Sequence, residues 1–207
     1  MTSRPALFLD RDGVLIHDVD LLAEAGQLRL YEGVPQALSR LQAAGFVLVV
    51  VSNQPVVARG LVSEDGVERL HVALQEMLTC AGGPHLASMY FCPHHPSATV
   101  ERYRVDCQCR KPRPGMLLQA GRDLDLDLHA SYMVGDRASD IAAGRRARCR
   151  TILLETGMHG KPPIESPDDL PANLAPDHVC AGLPEATDFI LSELSRSGPS
   201  GLARPAA

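Results

Sequence analysis

The 207-residue chain has no tryptophan, four tyrosines and four phenylalanines. So small an aromatic content offers no stacking platform for a single strand of nucleic acid. It also lacks a surplus of positive charge: 20 Lys and Arg stand against 25 Asp and Glu, a formal net charge of −5. That balance argues against a general electrostatic grip on nucleic acid or anionic lipid, though not against a local anion site. No run approaches the ~20 apolar residues of a membrane span. The opening MTSRPALFLDRDG has neither the apolar stretch nor the cleavage site of a secretory signal. The expected address is therefore cytoplasmic, with no nucleic-acid or membrane partner and a monomer as the default. In a reducing compartment the six cysteines read as thiols or metal ligands rather than as a disulfide framework.

What the chain does have is strand–helix alternation. Ala6 to Leu9 is a short apolar run that stops at Asp10, and Phe46 to Val51 is a continuous one of strand length. Such a run reads as a strand buried on both faces, as in a parallel sheet. Further strands are expected at Ser88–Phe91, Tyr132–Val134, Thr151–Leu154 and His178–Cys180. Between them helices are expected over Val34–Ala44, from Ser63 through Leu78, and over Gly115–Arg122, Ala138–Arg146 and Glu185–Leu194. The pattern implies an α/β fold with a doubly wound, Rossmann-like parallel sheet. Residues 1–195 are expected to form one domain, and 196–207, rich in Ser, Gly and Pro, a disordered tail. Residues 92–113 interrupt the alternation and are too long for an ordinary connection.

Doubly wound sheets bind ligands at the carboxyl ends of their strands, so the polar residues just after each strand carry the interest. The first strand runs into Asp10-Arg11-Asp12-Gly13. Two carboxylates there are costly unless something cationic sits nearby. One aspartate can attack phosphorus while a second moves the proton. The next strand ends in Ser52-Asn53-Gln54, whose hydroxyl and amides suit phosphoryl oxygens. Lys111 precedes a helix and suits a phosphate or the nucleophile. Gly135-Asp136 ends the fourth strand, a good place for a Mg2+ ligand. Asp140, one turn later, reads either as a supporting group of that site or as a helix N-terminal charge.

Taken in this order, these residues resemble the haloacid dehalogenase-like (HAD-like) phosphatases. The resemblance implies that Asp10 is the nucleophile and Asp12 the general acid and base, with Ser52 and Lys111 holding the phosphoryl group. It implies a Mg2+ bound by Asp10, the Asp12 carbonyl and Asp136. No large cap domain is visible between the motifs, so short loops must screen the site.

Cys92-Pro93-His94-His95 is followed by Cys107-Gln108-Cys109, with 12 residues between His94 and Cys107. Two close ligand pairs on one polar loop suit a tetrahedral, structural Zn2+ with three thiolates and one imidazole. Spacing leaves His94 and His95 both open as the fourth ligand. The stretch through Cys109-Arg110-Lys111-Pro112-Arg113-Pro114-Gly115-Met116 is similar to the zinc loop of the heptose 1,7-bisphosphate 7-phosphatases, which implies Cys92, His94, Cys107 and Cys109. Histidinol-phosphate phosphatases share C-x-H…C-x-C with a shorter connection, and remain the alternative together with other small sugar-phosphate phosphatases. The resemblance implies a small phosphorylated sugar as substrate, with Arg11, Asp18, Asn53, Gln54, Arg59, Arg110 and Arg137 around it. Pro55-Val56 and Asp18-Val19-Asp20-Leu21 depart from the family pattern in two loops expected to face the sugar. A binding module on a dead phosphatase scaffold is disfavoured, because Asp10, Asp12, Lys111 and Asp136 are all intact. Cys80, Cys149 and Cys180 are expected to be buried structural thiols.

Overall fold

In the computed structural model, which describes residues 3–19, 21–157 and 174–197, the apolar runs become six strands. These are β1 (Arg4–Leu9), β2 (Val47–Asn53), β3 (Ser88–Cys92), β4 (Leu126–Gly135), β5 (Arg150–Leu154) and β6 (His178–Cys180). They form one parallel sheet in the order β3-β2-β1-β4-β5-β6. Alternate residues of each central strand enter different cores. Leu7, Leu9, Leu48, Val50, Tyr132 and Val134 face one side, and Ala6, Phe8, Val47, Val49, Val51 and Met133 the other. That two-sided burial is why these strands read as continuous apolar runs.

Helices α1 (Val34–Ala43), α3 (Glu64–Cys80) and α6 (Leu183–Ser197) cover the first face through Leu38, Leu41, Leu70, Leu74 and Ile190. Helices α4 (Gly115–Asp123) and α5 (Ala138–Arg146) cover the second through Met116, Leu117, Ala120 and Ala143. A short α2 (Pro55–Ala58), one turn started by its proline, follows β2. Ser63 caps α3, its Oγ accepting from the Gly66 N–H at 3.1 Å. No large cap is present among the described residues.

Several expectations shift. Strand β4 begins six residues earlier than the apolar run at Tyr132, pairing Leu126 with Arg4 across a register irregularity. At the irregularity the Ser131 hydroxyl accepts the Ala6 N–H at 2.8 Å, standing in for a ladder carbonyl. Helix α6 continues to Ser197, and the rest of the expected tail, 198–207, lies outside the described residues. So does Asp20. Cys149 and Cys180 are buried as expected, whereas Cys80, at the last turn of α3, is exposed.

The strand order sets the site. The chain leaves β1 toward β2 and β3, then returns to lay β4 on the opposite side of β1. The carboxyl ends of β1 and β4 therefore flank the topological switch point, where such sheets open a crevice.

Candidate active site and metal centres

Asp10 follows β1 and Asp136 follows β4, so the switch point brings them together with Asp140 of α5. Oxygens of these three buried carboxylates all lie within 4.8 Å of one another. Lys111 enters from the other side, 1% exposed, with Nζ 2.9 Å from Asp10 Oδ1, 2.7 Å from Asp140 Oδ1 and 2.7 Å from the Val51 carbonyl. Two carboxylates and a carbonyl thus surround the ammonium. Burial works against the Lys111 charge, but Asp10 and Asp140 more than reverse it, and its pKa is raised. Asp140 moves up to about 6, driven by its burial and held back by Lys111. One ammonium stands among three carboxylates, an arrangement that favours a further cation.

The backbone leaves room for one. Gly13 has φ +82°, and a Cβ there would lie 2.3 Å from Asp136 Oδ2. Gly157 crowds the same oxygen from the end of β5, and Thr156 Oγ1 donates to the Gly13 carbonyl. Only glycine admits the chain so close to this carboxylate. The carboxylate set and its glycine cradle fit a hard divalent cation such as Mg2+. Gly157 and Thr156 were findable in the sequence, since they follow a strand as Asp10 and Asp136 do.

A second network surrounds Asp12. Arg11 donates to it from Nε at 3.2 Å and from Nη2 at 2.9 Å. Nη2 also donates to Gln54 Oε1 at 2.9 Å. Gln54 Nε2 in turn donates to Asp12 Oδ2 at 3.1 Å and to Ser52 Oγ at 2.7 Å. The expected substrate contact Arg11 is therefore 1% exposed and bound to protein groups. Asn53 is similarly engaged: its amide donates to the Lys111 carbonyl at 2.9 Å and accepts the Lys111 N–H at 3.0 Å. It fastens the exit of the Cys92–Arg113 loop to β2. Asp10, Arg11, Asp12, Asp18, Asn53, Gln54, Arg59, Arg110, Lys111 and Arg137 all line one cleft above this centre. Arg137 Nη2 pairs with Asp18 at 3.1 Å across its rim. His95, absent from the sequence expectations as a cleft residue, also lines it.

The loop from Cys92 to Arg113 brings four soft donors together. Cys109 Sγ lies 3.2 Å from both Cys92 and Cys107 Sγ, and His94 Nδ1 lies 3.5–3.7 Å from Cys109 and Cys92. A tetrahedral Zn2+ spaces its ligand atoms by about 3.8 Å, so the cage is near the right size. The three thiols share their protons: hydrogen bonding with Cys92 lowers the Cys109 pKa to about 5, while hydrogen bonding with Cys109 raises that of Cys92 and burial raises that of Cys107. The neighbouring His95 is placed elsewhere: its Nδ1 accepts from the Ser97 N–H at 3.1 Å. This loop has a small apolar base, Ala98 and Tyr103 on Val56, Val57, Ala58 and Val67. Otherwise arginines brace its carbonyls, Arg113 on Cys107 and Arg104 on Ala98. Arg110, immediately after Cys109, donates to the His94 carbonyl at 3.0 Å.

A parallel sheet of this order, with buried aspartates after β1 and β4 and a lysine joining the first of them to Asp140 of α5, defines a HAD-like hydrolase. The HAD-hydrolase-like family model matches residues 108–186. The D-glycero-beta-D-manno-heptose-1,7-bisphosphate 7-phosphatase of Escherichia coli (strain K12) is 41% identical over 176 residues, 84% of this chain and 92% of its own length. The D-glycero-D-manno-heptose-1,7-bisphosphate 7-phosphatase of Thermosynechococcus vestitus is 40% identical over 195 residues, 93% of this chain and 98% of its own. Among solved structures, a D,D-heptose 1,7-bisphosphate phosphatase from B. bronchiseptica, complexed with magnesium and phosphate, matches with a TM-score of 0.76 and 31% identity. That match covers 91% of this chain and 99% of the other. The chain belongs to the heptose-1,7-bisphosphate 7-phosphatase family of HAD-like hydrolases.

Proposed function

We propose that the protein removes the 7-phosphate of a D-glycero-D-manno-heptose 1,7-bisphosphate and leaves the heptose 1-phosphate. The observation that carries this reading is the buried centre in which Lys111 joins Asp10 and Asp140 beside Asp136, at the switch point of a sheet shared with that family.

Asp10 attacks the phosphorus atom of the 7-phosphate in line. A bond forms from its carboxylate oxygen as the bond to the C7 oxygen breaks. Asp12 gives the leaving oxygen its proton. Asp12 then takes a proton from water, which attacks the aspartyl-phosphate and frees inorganic phosphate. Lys111 and Ser52 hold the transferring group, and Lys111 also offsets the charge of Asp10. Asp10, Asp136 and the Asp12 carbonyl would hold Mg2+, which supplies countercharge to the non-bridging oxygens. Cys92, His94, Cys107 and Cys109 would hold a structural Zn2+ that folds the loop leading into Arg110 and Lys111.

Asp18, Arg59, Arg110 and Arg137 face the rest of the substrate from the cleft, with Asn53 and Gln54 at its base and Arg11 behind Asp12. A bisphosphate accounts for three arginines around a single acidic centre, since the phosphate that stays also needs countercharge. The test is phosphate release from both anomers of heptose 1,7-bisphosphate, fructose 1,6-bisphosphate and histidinol phosphate. A heptose bisphosphate is expected to be the best substrate. A preference of ~100-fold for histidinol phosphate, about 2.7 kcal/mol in transition-state binding, would overturn the assignment.

A further inference from the structure

One buried group has no part in the chemistry above. His71 lies on the face of α3 that otherwise buries Val67, Leu70, Leu74 and Leu78. It is 4% exposed, and neither ring nitrogen has a hydrogen-bond partner among the described residues. Its ring neighbour is Phe91 of β3, at 5.7 Å between centroids and 77°, which supplies no lone pair. Burial, aided by the nearby Arg11 charge, pushes the His71 pKa down to about 4, so the imidazole is neutral. Arg11 has the complementary defect. Its Nη1 is buried without a partner among the described residues, while Nε and Nη2 hold Asp12 and Gln54.

An unanswered buried polar group costs about 1–3 kcal/mol, and a leucine would complete the α3 row without that cost. A neutral imidazole carries one lone pair, and a guanidinium carries only donors. The lone pair is therefore the group that Arg11 Nη1 lacks. No direct hydrogen bond joins them, and an internal water with two or more polar partners is the usual answer at such a spot.

We infer that His71 is a positioning residue: its ring lone pair, through one internal water, receives the Nη1–H of Arg11. The chain then runs from His71 through water and Arg11 to Asp12. It holds the guanidinium from behind and fixes the carboxylate that moves the proton. This rests on the reading of Asp12 as general acid and base. Nothing in it requires His71 to touch substrate.

The test compares His71→Phe, which keeps a flat ring and removes both nitrogens, with His71→Gln, which restores an acceptor. Two esters separate positioning from general damage. An alkyl phosphate such as the heptose bisphosphate needs its leaving oxygen protonated, whereas p-nitrophenyl phosphate does not. Because kcat/KM reports phosphoryl transfer, His71→Phe should lower it by ~10-fold or more on the alkyl ester and by less than ~2-fold on the aryl ester. The melting temperature of His71→Phe should also fall, because Arg11 Nη1 is left without its acceptor, and His71→Gln should recover most of the alkyl rate. A crystal structure of the wild type should show the water, and one of His71→Phe should not. Equal losses on both esters, no loss, a raised melting temperature, or no water between Arg11 and His71 would each overturn the inference. Should the wild type cleave neither ester, the phosphatase reading fails first and this inference falls with it.

Discussion

Replacing Lys111 by methionine keeps the unbranched side chain as far as its fourth atom and removes the ammonium with its charge. In the wild type the ammonium contacts Asp10, Asp140 and the Val51 carbonyl at 2.7–2.9 Å, and all are buried. Its loss strands two carboxylates and a carbonyl, and breaking a buried pair by removing one partner costs about 3–5 kcal/mol. At this chain length each kcal/mol moves Tm by about 2–4 °C, so a fall of roughly 6–20 °C is expected. The pH dependence is specific. Asp140 already sits near 6 with Lys111 present, against 3.8 for an ordinary aspartate. Without Lys111 its pKa rises further, so the folded state binds protons that the unfolded state has released. The wild-type carboxyl also keeps its proton below about 6, so the penalty should grow as pH rises through 6 to 7 and fall to a plateau on acidification. Urea titrations of both proteins at pH 5 and pH 7, without added magnesium, measure this. Added Mg2+ should stabilise the variant more than the wild type, because a cation replaces the lost countercharge. A penalty below ~1 kcal/mol at pH 7, or one that does not shrink at pH 5, would refute the reasoning.

Other predictions follow from the same geometry. Cys109→Ser should lose bound zinc, measured by atomic absorption, and most activity with it, because Arg110 and Lys111 follow directly on that ligand; unchanged zinc content would remove the metal assignment. Gly13→Ala should abolish turnover and weaken Mg2+ binding, measured by calorimetry, since its Cβ would meet Asp136 Oδ2 at 2.3 Å from a φ of +82°. His71 has a folded pKa of about 4 against 6.5 unfolded, so stability attributable to it declines as pH falls from 6.5 to 4, by about 3 kcal/mol in full. The stability of His71→Phe should be flatter over that window in chemical denaturation, and an unchanged slope would count against a buried neutral imidazole. Asp10→Asn should keep its circular dichroism spectrum and zinc while losing at least ~1,000-fold in turnover.

The parallel sheet was legible because its central strands are buried on both faces and carry unbroken apolar runs, as Val47 to Val51 does. The carboxyl-end rule then led to Asp10, Ser52 and Asp136. It would also have led to Thr156 and Gly157 had the polar end of the fifth strand been read in the same way. The first half of β4 was not legible: Asp127 and Leu128 are half-buried, His129 and Ala130 are exposed, and Ser131 replaces a ladder contact with a hydroxyl. Asp140 stayed open between two roles because spacing along a helix carries no information about depth. The structure shows both: Asp140 is fully buried against Lys111, and its Oδ2 accepts the Arg137 N–H at the start of α5. Arg11 and Asn53 read as substrate groups by position, yet one braces Asp12 and the other the Lys111 backbone. Partners of that kind depend on contacts between segments distant in sequence, or on rotamers that motif spacing does not encode.

The most direct measurement is 31P NMR of heptose 1,7-bisphosphate incubated with the protein and Mg2+. The C7 phosphate resonance should disappear as inorganic phosphate grows, while the C1 phosphate resonance persists. Loss of the C1 phosphate first, or no change in either resonance, would contradict the account.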